Sequence, residues 1–240
     1  MMRLWTRQGL MAATTVGALL GAAGAAEMAS AAQPEIGAVV QRTYRGATAE
    51  GDTPEHPIYF RNEVYAQDLV KTGAAGSTDL QFLDNTHLVV GPNGEVKLDE
   101  FVYDASTVTG GGQISLKVGA FRYQSGELKN KENVKLVTPT ATMTIRGTHL
   151  VIFVGLDGAT EVNVIDGAVD VLACNTPNTV SATAGQRVNV TSGCSATVEP
   201  VRALPRDYVP QTPGSPPLGG DKGSDGPNDH PEPPSRNDNR

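Results

Sequence analysis

The chain has 240 residues, 19 basic and 26 acidic side chains, a net charge of −7, 27 glycines and only 5% aromatics. That acidic balance excludes a nonspecific grip on nucleic acid or on anionic lipid, both of which need a basic surface to displace counterions. Both ends read as non-globular, which leaves about 170 residues for one core, enough to fold without metals or many disulfides.

Arg3 and Arg7 open the chain, Leu10–Ala26 is an apolar run rich in Ala, Gly and Leu, and Ala29-Ser30-Ala31 offers small residues to a signal peptidase. This order is the secretory pattern. An uncleaved anchor is the competing reading. Its run of about 17 residues is at the short limit for crossing a bilayer, and Gly17, Gly21 and Gly24 weaken it as a helix. Residues 1–31 are therefore expected to be a secretory signal peptide. The mature chain would then be periplasmic or secreted, bacterial, and without an integral membrane span. No Arg-Arg pair is present and no cysteine follows the apolar run, so neither twin-arginine export nor a lipid anchor is expected.

Beyond residue 35 the recurring signal is strict alternation. Glu95–Asp99, Gln113–Val118, Thr142–Arg146, Glu161–Val164 and Arg187–Thr191 each place apolar side chains on one face and polar ones on the other. Leu150–Val154 is apolar throughout, as a strand covered on both faces would be. Asp84-Asn85, Pro92-Asn93-Gly94, Gly110–Gly112, Ser125-Gly126, Asp157-Gly158 and Asp166-Gly167 punctuate the strands. The Asp-Gly pairs suit two-residue hairpins because both positions accept positive φ. Many short strands at this spacing with no helix predict an all-β fold: an antiparallel β-sandwich, jelly roll or β-roll.

Cys174 and Cys194 are the only cysteines, with Asn178, Ala184-Gly185 and Ser192-Gly193 as turn-formers between them. In an oxidising compartment they should pair, and closing a loop of about 21 residues contributes about 3 kcal/mol in the chain-entropy account. From Pro205 the composition changes: nine of the 16 prolines lie in residues 205–240, among Gly, Asp, Ser and Asn. Such a segment cannot bury enough surface to offset its ordering entropy and is expected to be a disordered tail.

Three ordered blocks carry a family resemblance. The first is Asp68-Leu-Val-Lys-Thr-Gly73 with Ser77–Pro92, in which Asn85 stands where a glycine is usual and still accepts left-handed geometry. The second is Val96–Asp104 with Gly119–Gly126, containing Asp-Glu-Phe-Val-Tyr-Asp and Phe-Arg-Tyr-Gln-Ser-Gly. The third is Val137–His149, containing Thr-Pro and Ile-Arg-Gly-Thr. Together they resemble the FecR domain, specifically an exported or periplasmic subgroup that lacks the cytoplasmic anti-sigma segment. The match is best over residues 66–171, and residues 32–204 are expected to form the whole FecR-like β domain. The resemblance implies a β-rich exported module. The family's best-known members relay a ferric-siderophore signal through a cytoplasmic anti-sigma segment and one membrane helix. Here only nine residues precede the apolar run, so that transmembrane role does not carry over.

Chemistry-bearing residues are sparse. His87 and His149 lack metal-ligand spacing, and Asp84, Asn85, Asp157, Asp166 and Asp170 belong to no calcium loop. Ser192-Gly-Cys-Ser195 is not a nucleophile elbow, and Gly110–Gly112 precedes a strand rather than a phosphate-binding helix. No catalytic, metal or cofactor site is expected, and the chain is not expected to be an enzyme. Arg146 is the one charged residue inside the third block. It is either a partner contact through its forked donors or a structural residue paired with a carboxylate or a backbone carbonyl. Alternation puts Phe101 with Tyr103, and Phe121 with Tyr123, in the core or on an aromatic surface patch. Arg146, Tyr103 and Tyr123 are thus the candidate partner contacts.

The expected function is a noncatalytic binding or scaffold module of the cell envelope whose partner is a protein or an envelope polymer, not nucleic acid. The alternative is a periplasmic sensor or regulatory protein of the iron-siderophore signalling type, acting through a separate membrane partner. An envelope hydrolase ranks third, because no nucleophile or acid–base pair is placed.

Overall fold

A computed structural model describes residues 35–44, 46–174, 176 and 179–202. The expected signal peptide and the expected disordered tail lie outside them. In chain order the strands are β1 (Glu35–Tyr44), β2 (Ala47–Glu50), β3 (His56–Ile58), β4 (Glu63–Tyr65), β5 (Leu69–Thr72), β6 (Ser77–Phe82), β7 (His87–Val90) and β8 (Glu95–Asp104). There follow β9 (Thr109–Gln124), β10 (Val134–Val137), β11 (Ala141–Val154), β12 (Thr160–Ala173), β13 (Thr179–Thr183), β14 (Gln186–Val190) and β15 (Ala196–Pro200). One 3-10 turn at Lys131–Asn133 is the only other regular element among the described residues. The fold is all-β, as the alternation predicts.

All 15 strands join in one hydrogen-bonded sheet. Its main path runs β15-β14-β12-β11-β10-β9-β7-β6-β1-β4, with a branch through β8, β5, β2 and β3. Every pairing is antiparallel except β9 with β10. β9 is the junction. Its first half pairs with β8 and β10, and its second half with β7 and β11. Apolar side chains from both branches meet in one core, where Val96 and Leu98 of β8 join Leu88 of β7, Ile152 of β11 and Val164 of β12.

The long strands keep facing that core by a recurring device. A strand side chain changes face every residue, so an extra residue reverses the faces of everything beyond it. In β9 the residues that face the core are Ile114 and Leu116, then Phe121 and Tyr123, on either side of Gly119 at φ 116°. β11 buries Met143 and Ile145, then Leu150 and Ile152, across Gly147 at φ 68°. β12 buries Val162 and Val164, then Val169 and Val171, across Gly167 at φ 78°. β8 changes from Leu98 to Phe101 at a shift of register between Leu98 and Glu100. Odd and even residues trade roles at each break, and the apolar set stays inside.

Three turn expectations are corrected. Asp166-Gly167 does not close a hairpin; it is an irregularity within β12, facing the break at Arg146–His149 in β11. Asp157-Gly158 belongs to a five-residue connection rather than a two-residue hairpin, closed by Gly155 N–H donating to the Ala159 carbonyl at 2.9 Å. Gly110–Gly112 lies inside β9, against Phe101–Tyr103 of β8. A Cβ at Gly112 would stand 2.2 Å from the Glu100 carbonyl oxygen, so these glycines serve close backbone approach. Asn85 at φ 62° adopts the left-handed geometry expected of it.

Candidate partner-binding surface

Arg146 leaves β11 on the side opposite Met143 and Ile145, which are fully buried. Its side chain is 61% exposed, and its guanidinium donates to the Asp170 carboxylate of β12 at 2.5 Å. The other oxygen of Asp170 accepts from Ser181 Oγ of β13 at 2.6 Å. The residue therefore has the carboxylate partner of the structural reading and keeps most of its surface in water.

The aromatic candidates separate. Tyr123 and Phe121 are buried at 1% and 0% exposure, and Phe101 at 3%. Phe101 stacks obliquely on Phe82 with ring centroids 4.8 Å apart. Tyr123 therefore cannot present a surface contact. The break at Gly119 turns it inward with Phe121, and burial pushes its phenol up to well above the usual range. Tyr103 is partly buried against the core, at the end of β8 where the alternation runs out of cover. Desolvation raises its hydroxyl pKa as well.

His87 and His149 are brought together in a way the sequence does not reveal. They flank Gln124 on β7 and β11, in register across β9. His87 Nδ1 lies 3.1 Å from the buried carboxylate of Asp79, and that contact raises its pKa. Arg122 Nε donates to His149 Nε2 at 2.6 Å. Burial, then the Arg122 charge, pushes His149 down to about 4, so it stays neutral and accepts. Arg122 is 2% exposed, and its Nη1 has no hydrogen-bond partner among the described residues. Asp79, Arg122 and Asn163 alternate with Val89 and Val151 in a buried row on the face turned away from the core. Alternation reads such positions as solvated, so no sequence signal marks them. Two further ion contacts continue this face, Arg187 with Glu199 at 2.5 Å and with Glu161 at 3.6 Å. No group of side chains able to hold a metal is found among the described residues.

The turn between β3 and β4 was not singled out by sequence reasoning. Tyr59 and Phe60 stand 64% and 58% exposed there. Asn62 builds the turn, its N–H donating to the Tyr59 carbonyl and its side-chain oxygen accepting the Tyr59 N–H at 2.6 Å. Arg61, at φ 68°, sets its guanidinium 5.3 Å from the Phe60 ring centroid. Beside this tip runs an open groove of about 580 Å³ lined by His56, Pro57, Tyr59, Asn62, Glu63 and Tyr65. Two exposed rings held by a short turn next to a polar groove are the composition of a recognition surface, since aromatics and arginine contribute most per contact area. The only hint in the sequence is Ile58-Tyr-Phe-Arg61, a stretch with too little alternation to be a buried strand.

Cys174 and Cys194 are joined in a disulfide with Cα atoms 5.5 Å apart, as expected. No helix among the described residues is long and apolar enough to cross a membrane.

No curated protein matches this sequence. Two crystal structures of a candidate anti-sigma factor from Parabacteroides distasonis ATCC 8503 align with it at a TM-score of 0.44, with 11% and 10% identity. They cover 55% of this chain, which spans 59% of theirs. The family model described as FecR protein matches residues 68–170, close to the 66–171 expected from the three blocks. The segment from β5 to the Arg146-paired Asp170 of β12 is a FecR domain.

Proposed function

We propose that the protein is a noncatalytic binding module exported to the cell envelope and acting through a protein partner. The FecR domain over residues 68–170 carries this reading, because the family it belongs to is regulatory rather than enzymatic. The Cys174–Cys194 bond supports an oxidising compartment. The polar clusters support a structural reading over a catalytic one. His149 spends its acceptor on Arg122, and His87 is bound to Asp79; neither aims at a nucleophile. Contact with the partner is assigned to the Tyr59-Phe60-Arg61 tip and its groove.

A second reading is a sensor that regulates transcription through a separate membrane protein, favoured by the same family match. One experiment separates them. The purified protein is crosslinked in envelope extract beside Tyr59→Ser/Phe60→Ser, and transcripts are compared between wild-type and deletion strains. A partner captured by the wild type and lost with the variant, without coherent transcript changes, supports a scaffold. The same capture with a discrete induced or silenced regulon supports the sensor. Equal capture by both proteins rejects the tip as the contact.

A further inference from the structure

β13 and β14 lie end to end along the same side of β12. Thr179–Thr183 pair with Leu172–Ala168, and Arg187–Val190 with Asn163–Thr160. They amount to one long strand broken at Ala184-Gly185. β15 then covers the outer side of β14 alone, and its last rung is Val201 N–H on the Gly185 carbonyl at 2.8 Å. The outer side of β13 has no neighbouring strand among the described residues.

Exposed sheet edges template pairing with other chains unless they are short, charged or interrupted by proline. Among the described residues, three of the four strands that end the sheet's paths are protected in those ways. β3 has three residues and contains Pro57. β4 also has three, and Asp68 closes it by accepting the Tyr65 N–H at 2.9 Å. β15 ends in Glu199-Pro200. β13, Thr179-Val-Ser-Ala-Thr183, has neither charge nor proline. Ala184 N–H reaches inward to the Gly167 carbonyl, whereas Thr183 N–H turns outward to Gln186 Oε1. Alternation then turns the N–H and carbonyl of Ser181 and Thr179 outward too. The chain's own continuation is a poor cover. Pro205 and Pro210 follow closely in the sequence, and a proline lacks the N–H that pairing with an edge strand needs.

We propose that β13 pairs with β13 of a second copy of this chain, antiparallel about a two-fold axis at Ser181. The segment is nearly palindromic, so the two-fold sets Thr179 against Thr183, Val180 against Ala182, and Ser181 against Ser181. No charge meets its like, and hydroxyl pairs of this kind are favourable across strands. The two Ser181 residues exchange both backbone bonds, and each Thr179 N–H reaches the second copy's Thr183 carbonyl. Val180 and Ala182, on the core side, extend the apolar layer across the axis. The result is an isologous contact that closes as a dimer and exposes no new edge.

The test is sedimentation velocity of the full mature chain over rising concentration, with three variants. Ser181→Lys sets like charges face to face and should raise the dimerisation midpoint by about fivefold or more. Thr197→Lys, exposed on β15, should leave it unchanged. Ser181→Cys should give an interchain disulfide under mild oxidation, which needs no loss of stability to be read. A chain monomeric at every concentration overturns the proposal. So does a dimer that ignores Ser181→Lys and does not crosslink through Ser181→Cys. A chain that dimerises only after removal of residues 203–240 overturns it as well, because the tail then holds the edge.

Discussion

Arg146 shows how exposure decides what an ion pair is worth. Its guanidinium meets the Asp170 carboxylate, but the side chain stays 61% exposed, where screening and side-chain entropy consume most of the attraction. Asp170 keeps the Ser181 hydroxyl if the arginine is removed. Arg146→Ala should therefore cost at most about 1 kcal/mol in chemical denaturation, below what loss of a buried partner would give. His149 is the opposite case. Its folded pKa of about 4 lies below the ordinary imidazole value of 6.5, so between those values the unfolded chain binds the proton and the folded one does not. Stability is then fully present above pH 6.5 and is lost as pH falls toward 4. His87, raised by Asp79, works in reverse: its contribution is complete below pH 6.5 and fades as pH rises through its folded value. His149→Gln, still able to accept from Arg122, should flatten the acid limb of a stability–pH curve. An imidazole titration that finds His149 charged at pH 5 in the folded protein would refute the assignment.

At the scale of the strand, the breaks in alternation explain both what the sequence tells and what it hides. Each half of β11 is legible on its own, because Met143-Thr-Ile145 alternates and Leu150–Val154 is a continuous apolar run. That the halves form one strand is not legible. A glycine between two strand patterns signals a hairpin as readily as a bulge, and Asp166-Gly167 carries the usual hairpin dipeptide. What decides is the facing strand. Gly147 and Gly167 sit against each other, and a Cβ on Gly167 would stand 1.9 Å from the Gly147 carbonyl oxygen. Only contact across strands reveals this, and a single sequence has no term for it. The same gap hid Arg122 and placed Tyr123 among the surface candidates, since the faces beyond Gly119 depend on a reversal that alternation alone cannot date. A paired substitution tests the account. Gly185→Ala, at φ 83° with nothing within 4 Å of its Cβ, should cost only the left-handed conformation, about 1–2 kcal/mol. Gly167→Ala carries the same conformational cost plus the clash and should lose roughly 2–4 kcal/mol. Equal losses would mean that the two bulges are not locked together.

For the whole molecule, compartment and stability are one question, because the only covalent crosslink requires an oxidising space. The reading of residues 1–31 as a signal peptide predicts a mature chain starting near Ala32, and intact mass of periplasmic protein measures it directly. A membrane-bound species retaining Met1–Ala31 would defeat that reading. The Cys174–Cys194 bond ties the end of β12 to the β14–β15 connection, and so encloses β13 and β14, which lie on β12 and carry the last layer of the core through Ala182, Val188 and Val190. Among the described residues those two strands, which are short, pair only with β12 and β15, so their local opening should be the first to follow loss of the crosslink. Cys174→Ser/Cys194→Ser should lower unfolding free energy by about 3 kcal/mol in the chain-entropy account. Hydrogen exchange in Thr179–Val190 should accelerate before that of β11 or β9. Uniform acceleration across all three regions would show that the bond acts only by constraining the unfolded chain and does not fasten this edge of the sheet.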